Sequence, residues 1–415
     1  MNKFFKGIME STAPRSFYRR PLPNHLIAFS SEKGKELFKQ SLKQGYTENY
    51  FKLVGNFSSQ SEPAYCGLAS LVTVLNSFEI DPGKTWKGIW RWYSEEMLDC
   101  CSPLSYIKRN GITFQEFKCL AHCNGLQVSS FHPSESSLEQ FRAAIAATCQ
   151  SSEQHLVVSF GRKSLGQTGD GHFSPVAAYS REHDSVLVLE VARFKYPCYW
   201  VDVEMLWRAM HDTDSVTGRQ RGYFVLKRDC AWDAGLVRVG VQGQVKELGM
   251  VFENVLGRDL EVVGSSDAQK MKDVFRGVLE ELDRSKSFRL EFVPPGIDLV
   301  GQGEMATQHE RNVYQLICDI QRHPVYQIAC DILQERRLEF LGLQSGNSLN
   351  AQAALATLLF LALPEHCFDK LNHNFKTELH NFRNIKEDFV VLRREVERLT
   401  KQIGGSMKIC SCKKN

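Results

Sequence analysis

Gln60-Ser61-Glu62-Pro63-Ala64-Tyr65-Cys66-Gly67-Leu68-Ala69-Ser70-Leu71 is the stretch on which the reading of this chain turns. From Cys66 onward, Leu68, Leu71, Val72, Leu75 and Phe78 recur at helix spacing, and Asp81-Pro82-Gly83 ends the run. The spacing predicts a helix that begins at Cys66. A cysteine at that point feels the positive end of the helix dipole, which favours the thiolate, the nucleophilic form. Gln60, a short loop earlier, carries an uncharged amide donor suited to the oxyanion of a tetrahedral intermediate. The pair points to acyl chemistry through a thioester.

A thiolate nucleophile needs a histidine to take its proton and to protonate the leaving group, and a third group to orient that histidine. Of twelve histidines, His172 has the context: it follows Gly166-Gln167-Thr168-Gly169-Asp170-Gly171 and opens a predicted strand. Glycines such as Gly171 let backbone approach a substrate closely. The third group is Glu190, in the run Ser185-Val186-Leu187-Val188-Leu189-Glu190-Val191. That run is apolar on both faces, so the strand is buried and its carboxylate needs a partner, His172 or a base such as Arg193 or both. A hairpin turning near 181–183 brings the two strands together. With the loop centred on a residue, positions 172 and 190 share a face, and a bulge would spoil the match. Arg162, Arg193, Lys195 and Tyr196 flank this constellation as candidates to grip substrate carboxylates, arginine being best shaped for two-pronged contact.

The rest of the chain sets the frame. Its 415 residues are enough for two domains, and 43% hydrophobic and 11% aromatic content suits packed structure. A net charge of +3 gives no argument for nucleic acid. The longest apolar run, 351–363, is interrupted by Gln352 and Thr357 and suits a buried helix rather than a membrane span. Thirteen cysteines with no secretory leader point to a reduced, cytoplasmic setting. Lys3, Lys6, Arg15, Arg19 and Arg20 against Glu10 leave mitochondrial import open, with a solvated terminus as the plainer reading.

Helical patterns at 113–123 and 137–148 are followed by strands at 155–160, 172–179, 185–191 and 222–227. Helices first and an antiparallel sheet second is an α+β layout with a cleft between its parts. The expected units are an N-terminal extension (1–16), a catalytic domain (17–228) and a C-terminal domain (229–415), helical at 267–284, 309–322, 351–363 and 376–401. The last of these helices is charged and reads as solvated or packing. The tail from Lys408 to Lys414 is expected to be mobile, and its Cys410 and Cys412 form a weak chelating pair. Cys100 and Cys101 are adjacent, and Cys119 and Cys123 share a helix with His122 between them. None has a zinc-finger spacing. Packed thiols and transient binding of a soft metal ion are both open readings.

The gathered motifs resemble the phytochelatin synthases, the glutathione γ-glutamylcysteinyltransferases. The likeness runs through Phe17-Tyr18-Arg19-Arg20-Pro21-Leu22-Pro23, the Gln60–Leu68 stretch, Trp90-Arg91-Trp92, Met97-Leu98-Asp99-Cys100-Cys101, Cys119-Leu120-Ala121-His122-Cys123, Gly171-His172-Phe173-Ser174-Pro175 and Val191-Ala192-Arg193-Phe194-Lys195-Tyr196-Pro197. Thr357-Leu358-Leu359-Phe360-Leu361-Ala362-Leu363-Pro364 looks like a segment of the variable eukaryotic C-terminal domain. The resemblance implies a papain-like cysteine peptidase fold, with Cys66 as nucleophile, His172 as general acid/base and Gln60 in the oxyanion hole. It further implies glutathione and phytochelatin peptides as substrates, and Cd, Zn or Cu ions as activators, brought mainly as glutathione thiolates. No organic cofactor, nucleic acid or membrane partner is implied, and a homodimer is compatible with it.

The family carries Asp where this chain has Glu190. The extra methylene suggests misalignment and reduced activity, in which case Glu190→Asp raises turnover. Alternatives are a hydrolase releasing glycine from glutathione or its S-conjugates, and a thiol-rich metal-binding protein with impaired catalysis.

Overall fold

The computed structural model describes residues 19–230, 235–241, 267–285, 288–292, 308–336, 349–369 and 373–411. Phe17, Tyr18 and Cys412 lie outside the described residues, as do Lys3, Lys6 and Arg15. After a short strand β1 (Ile27–Ala28) come the helices α1 (Glu32–Lys43), α2 (Glu48–Gly55), α3 (Cys66–Ser77), α4 (Leu104–Asn110) and α5 (Phe114–Cys123). Then follow β2 (Leu126–Phe131), α6 (Leu138–Cys149), β3 (Gln154–Gly161), β4 (Gly171–Ser180), β5 (Ser185–Val188), β6 (Tyr199–Asp202), α7 (Val203–Met210) and β7 (Gly222–Arg228). The strands form one antiparallel sheet in the order β1-β6-β5-β4-β3-β7-β2.

The expected helix starts are met by sequence-local caps. Thr113 and Glu116 form a reciprocal capping box on α5, and Ser137 and Gln140 do the same on α6. The succession is less clean than helices followed by sheet. Of the two edge strands, β1 precedes the helices and β2 lies among them in sequence, and β6 and α7 are further elements that the pattern did not predict.

Both faces of the sheet are covered, which is why its inner strands read as unbroken apolar runs. Val157, Leu187 and Phe224 pack with Leu68, Leu71 and Leu75 of α3 and Phe117 of α5. Leu156, Val158 and Val186 pack on the other face with Phe141 and Ile145 of α6 and Leu206 of α7. Leu68, Leu71 and Leu75 are fully buried, and truncating any of them to alanine costs about 2–5 kcal/mol.

Beyond 235 the described chain is mostly helical: α8 (Asp267–Ser285), α9 (Gln308–Gln321), α10 (Pro324–Arg336), α11 (Leu349–Ala362), α12 (His373–Phe382) and α13 (Val390–Ser411). Two strands, β8 (Val237–Val241) and β9 (Phe288–Phe292), pair antiparallel. α11 is buried throughout 353–362, as an all-round apolar helix must be. Among the described residues no helix is long and apolar enough to cross a membrane.

The single helix expected over 376–401 is two helices. Between α12 and α13 the buried Arg383 turns inward and donates to the carbonyls of Leu361, at 2.9 Å, and Leu363, which α11 leaves unpaired at its end. α13 is not a solvated helix on its inner side, since Leu392, Val396, Leu399 and Ile403 are buried there. The tail expected to be mobile from Lys408 continues α13 as far as Ser411.

Candidate active site

Cys66 is the first residue of α3, and Tyr65 before it offers no capping side chain. The helix is pressed down at this end: a Cβ on Gly67 would come within 2.4 Å of the Ile112 side chain and 3.5 Å of Phe173. The backbone N–H groups of Phe173 and Gly67 lie on the side of Cys66 Sγ. Those donors and the nearby Arg162 favour the thiolate, yet burial outweighs them and pushes the Cys66 thiol up. The helix-end expectation of a thiolate favoured at rest is therefore reversed.

His172 and Glu190 do share a face, by a different route from the one expected. Ser180 pairs with Ser185, so the intervening loop, 181–184, is centred between two residues and sets the strands in opposite parity. A register shift between Val176 and Ala178 then restores it, with Val176 opposite Val188 and Leu189 N donating to Pro175 O at 3.0 Å. The bulge makes the match instead of spoiling it. Ala177 and Ala178 consequently both face the α3 side. His172 and Glu190 fall diagonally on the other face, with His172 Nε2 2.7 Å from Glu190 Oε1.

Glu190 is fully buried, and Oε1 also accepts from Arg162 Nη2 and from Ala192 N, both at 2.8 Å. Burial opposes its ionisation, but His172 and Arg162 hold the carboxyl down to about 2. Burial foremost, then the Arg162 charge, lowers His172 to about 4. Arg162 Nη2 lies 3.0 Å from His172 Nε2, and Ser174 Oγ is equally close. Arg162 can only donate and would need an accepting Nε2, whereas Glu190 needs a donating one; the shorter contact, at 2.7 Å, is to the carboxylate, which assigns the proton to Nε2 as a hydrogen-bond donor to Glu190. The partner of Glu190 is thus Arg162 and not Arg193, which is exposed and lies over the Phe57 ring.

Gln60 is buried at the same end, its loop tied to the strand exit by Gln60 N donating to Val191 O at 3.0 Å. Its side-chain Nε2 donates to the carbonyls of Glu62 and Pro63 at 2.8 and 2.9 Å, so both amide hydrogens are engaged within the loop. Glu95, which the sequence gave no reason to single out, fixes this loop by accepting from Ser61 N.

Residues 17–223 match the family model described as phytochelatin synthase. This segment belongs to the phytochelatin synthase family. Over 217 residues the chain is 50% identical to glutathione γ-glutamylcysteinyltransferase 3 of Lotus japonicus, covering 52% of this chain and 45% of that protein. It is 47% identical over 213 residues to glutathione γ-glutamylcysteinyltransferase of Schizosaccharomyces pombe, covering 51% of each. With glutathione γ-glutamylcysteinyltransferase 1 of Arabidopsis thaliana it shares 48% over 217 residues, 52% of this chain and 45% of the relative. The match spans about half the length of these curated relatives.

Within the phytochelatin synthase segment, the other expected contact residues pin structure. Lys195 Nζ donates to Thr168 O at 2.5 Å, and Tyr196 Oη accepts from Thr168 N at 2.9 Å, so both hold the glycine-rich loop before His172. Arg162 is buried and donates to Glu190 and Gln167. The missed cation is Arg221. It seats its guanidinium on Gly171, where a Cβ would collide with Nη1 at 2.0 Å, and its Nε is buried without a partner. Asp214 and Asp170 lie 3.3 and 3.7 Å from it. The signal was the glycine itself, which marks close approach of a neighbour.

The thiols gather as well. Cys100, Cys101 and Cys123 Sγ atoms lie within 4.8 Å of one another, a set that could bind metal. Cys119 stands beside them, 3.9 Å from Cys123. His122 points away and pairs with Leu126 O. Ser102 Oγ donates to Glu116 Oε1 at 3.1 Å, which ties the Cys100–Cys101 turn to the capping box of α5.

Proposed function

We propose that this chain is a γ-glutamylcysteine dipeptidyl transferase that makes phytochelatins from glutathione through a Cys66 thioester on a papain-like framework. The observation that carries the reading is the Glu190–His172 contact at 2.7 Å beside Cys66 at the head of α3, within the segment that matches the family. At rest the pair is thiol and imidazole, since burial raises Cys66 and lowers His172. Nε2 belongs to Glu190, so the other ring nitrogen, Nδ1, takes the proton as Cys66 attacks the Cys–Gly amide. Glu190 stabilises the imidazolium so formed.

The tetrahedral oxyanion is met by N–H groups of the first turn of α3, which have no intrahelical acceptor. Gln60 joins them by giving up one of its loop carbonyls. The C–N bond breaks, His172 protonates the departing glycine, and γ-Glu-Cys remains as the thioester. The α-amine of a second glutathione or a growing chain then attacks, with His172 as base. Arg221 packs on Gly171 beside His172, its charge offset by Asp214 and Asp170, and so steadies the loop that carries the base. Cadmium, zinc or copper enters as the thiolate of the acceptor, which blocks its sulfur and leaves the amine as nucleophile.

Purified protein with glutathione and cadmium, and products resolved by mass, tests this. Oligomeric γ-Glu-Cys peptides with glycine released are expected. γ-Glu-Cys alone would replace transfer by hydrolysis, and neither product would remove the enzyme reading.

A further inference from the structure

The loop that carries Gln60 is held from three sides. Gln60 N and Ser59 Oγ donate to Val191 O at 3.0 and 3.2 Å, which ties its start to the exit of the Glu190 strand. Lys108 Nζ meets Glu62 Oε1 at 2.5 Å further along. Between these points Ser61 gives the Glu95 carboxylate both its N–H, at 3.1 and 3.2 Å, and its hydroxyl. Glu95 is in turn placed by the far end of α3. Asn76, in the last turn, donates to Tyr93 O at 3.0 Å and accepts from Tyr93 N at 2.9 Å, two residues before Glu95. The helix that presents Cys66 at its head therefore anchors, at its tail, the residue that grips the oxyanion loop.

A carboxylate is a costly grip. Glu95 is buried, and the charges that reach it belong to Glu96 and Glu62, so burial foremost and then like charge raise its carboxyl. Such a group is a candidate for function.

The two amide hydrogens of Gln60 are not equivalent. Glu62 O, which takes one at 2.8 Å, also accepts from Tyr65 N at 3.0 Å. Pro63 O, which takes the other at 2.9 Å, has Gln60 as its sole donor among the described residues. Withdrawing the amide from Glu62 thus leaves no carbonyl orphaned, whereas withdrawing it from Pro63 does. Gln60 Oε1 is buried without a partner, so no contact there resists a small swing. The swing reaches an oxyanion at Cys66 only if the backbone stays behind. A loop free to follow would keep the amide on its own carbonyls.

We propose that Glu95 is a positioning residue for the acylation step: by clamping Ser61 it holds the loop still while Gln60 exchanges the Glu62 carbonyl for the tetrahedral oxyanion. This rests on the thioester reading above, and Glu95 itself makes and breaks no covalent bond.

The experiment is a double-mutant cycle on the purified full chain, with glycine release from glutathione and Cd2+ as the readout. Glu95→Ala is expected to lower kcat about tenfold with KM for glutathione within about twofold. Glu95→Gln, which keeps an acceptor for Ser61 N, recovers most of that loss. Ser61→Ala, which removes only the hydroxyl contact, costs about fivefold. In a Gln60→Ala background each change adds less than about twofold, because the group it positions is gone. Equal losses with and without Gln60 overturn the proposal, since a general loss of packing acts alike in both. Parental kcat in Ser61→Ala and in folded Glu95→Ala overturns it too. Should Glu95→Ala not fold, Ser61→Ala in the two backgrounds decides. A parent that releases no glycine fails the transfer reading instead. Hydrogen exchange at 60–65 needs no turnover: it is expected to quicken in folded Glu95→Ala, and unchanged exchange removes the clamp.

Discussion

Cys66 and the Cys100–Cys101–Cys123 cluster pack against the same helical side of the sheet, and they are opposite surroundings for a thiol. The sulfur of Cys66 meets backbone N–H groups and lies in the field of Arg162 and Glu190, with His172 next to its donor Phe173. The clustered sulfurs meet other sulfurs and one amide. A nucleophile needs somewhere to send its proton, and a ligand set needs partners of its own kind. The difference separates chemistry from binding without any appeal to how reactive a thiol is in isolation.

The sharpest way to break that division is Cys66→Ser. Glycine release is expected to fall roughly 10³-fold or more, with Cd2+ binding at the cluster unchanged, and loss of both together would merge the two sites. Next is the carboxylate. Glu190 Oε1 already meets three donors at 2.7–2.8 Å, so the misalignment expected from its extra methylene is not seen. Glu190→Asp is expected to lower turnover, about tenfold, by withdrawing that oxygen, and a faster enzyme would restore the original concern.

Acidity sharpens the contrast further. With His172 held to about 4, the base is neutral above that pH, and kcat/KM for glycine release falls as the medium is acidified through it. Arg162→Gln removes a cation that lowers the ring, so the acid limb moves toward the ordinary histidine range. A limb that stays put would make Arg162 structural only. The smallest effect belongs to Cys119, which stands outside the set of mutually close sulfurs. Cys119→Ser should weaken Cd2+ by only a few-fold, well short of Cys123→Ser, which removes one of the three mutually close sulfurs.

The start of α3, the extents of α5 and α6, and the His172 and Glu190 strands were legible because each rests on a pattern within a dozen residues. The strands β1 and β6 were not, since each is too short to show a period. The direction of the Gln60 amide depends on two carbonyls of its own loop, and the base that joins His172 on Glu190 is Arg162, 28 positions away in sequence. Arg238 reaches back about 140 positions to Asp99. Contacts of that range depend on the folded path, which no local spacing encodes.

The four-residue loop after Ser180 and the bulge at Ala177 are two offsets that cancel. A relative that lost either one would still carry Cys66, His172 and Glu190 in order, and would align with this chain throughout. Its acid and its base would nevertheless stand on opposite faces of the sheet. For this architecture, a complete set of motifs guarantees the ingredients of a triad, while the length of one hairpin decides whether they ever meet.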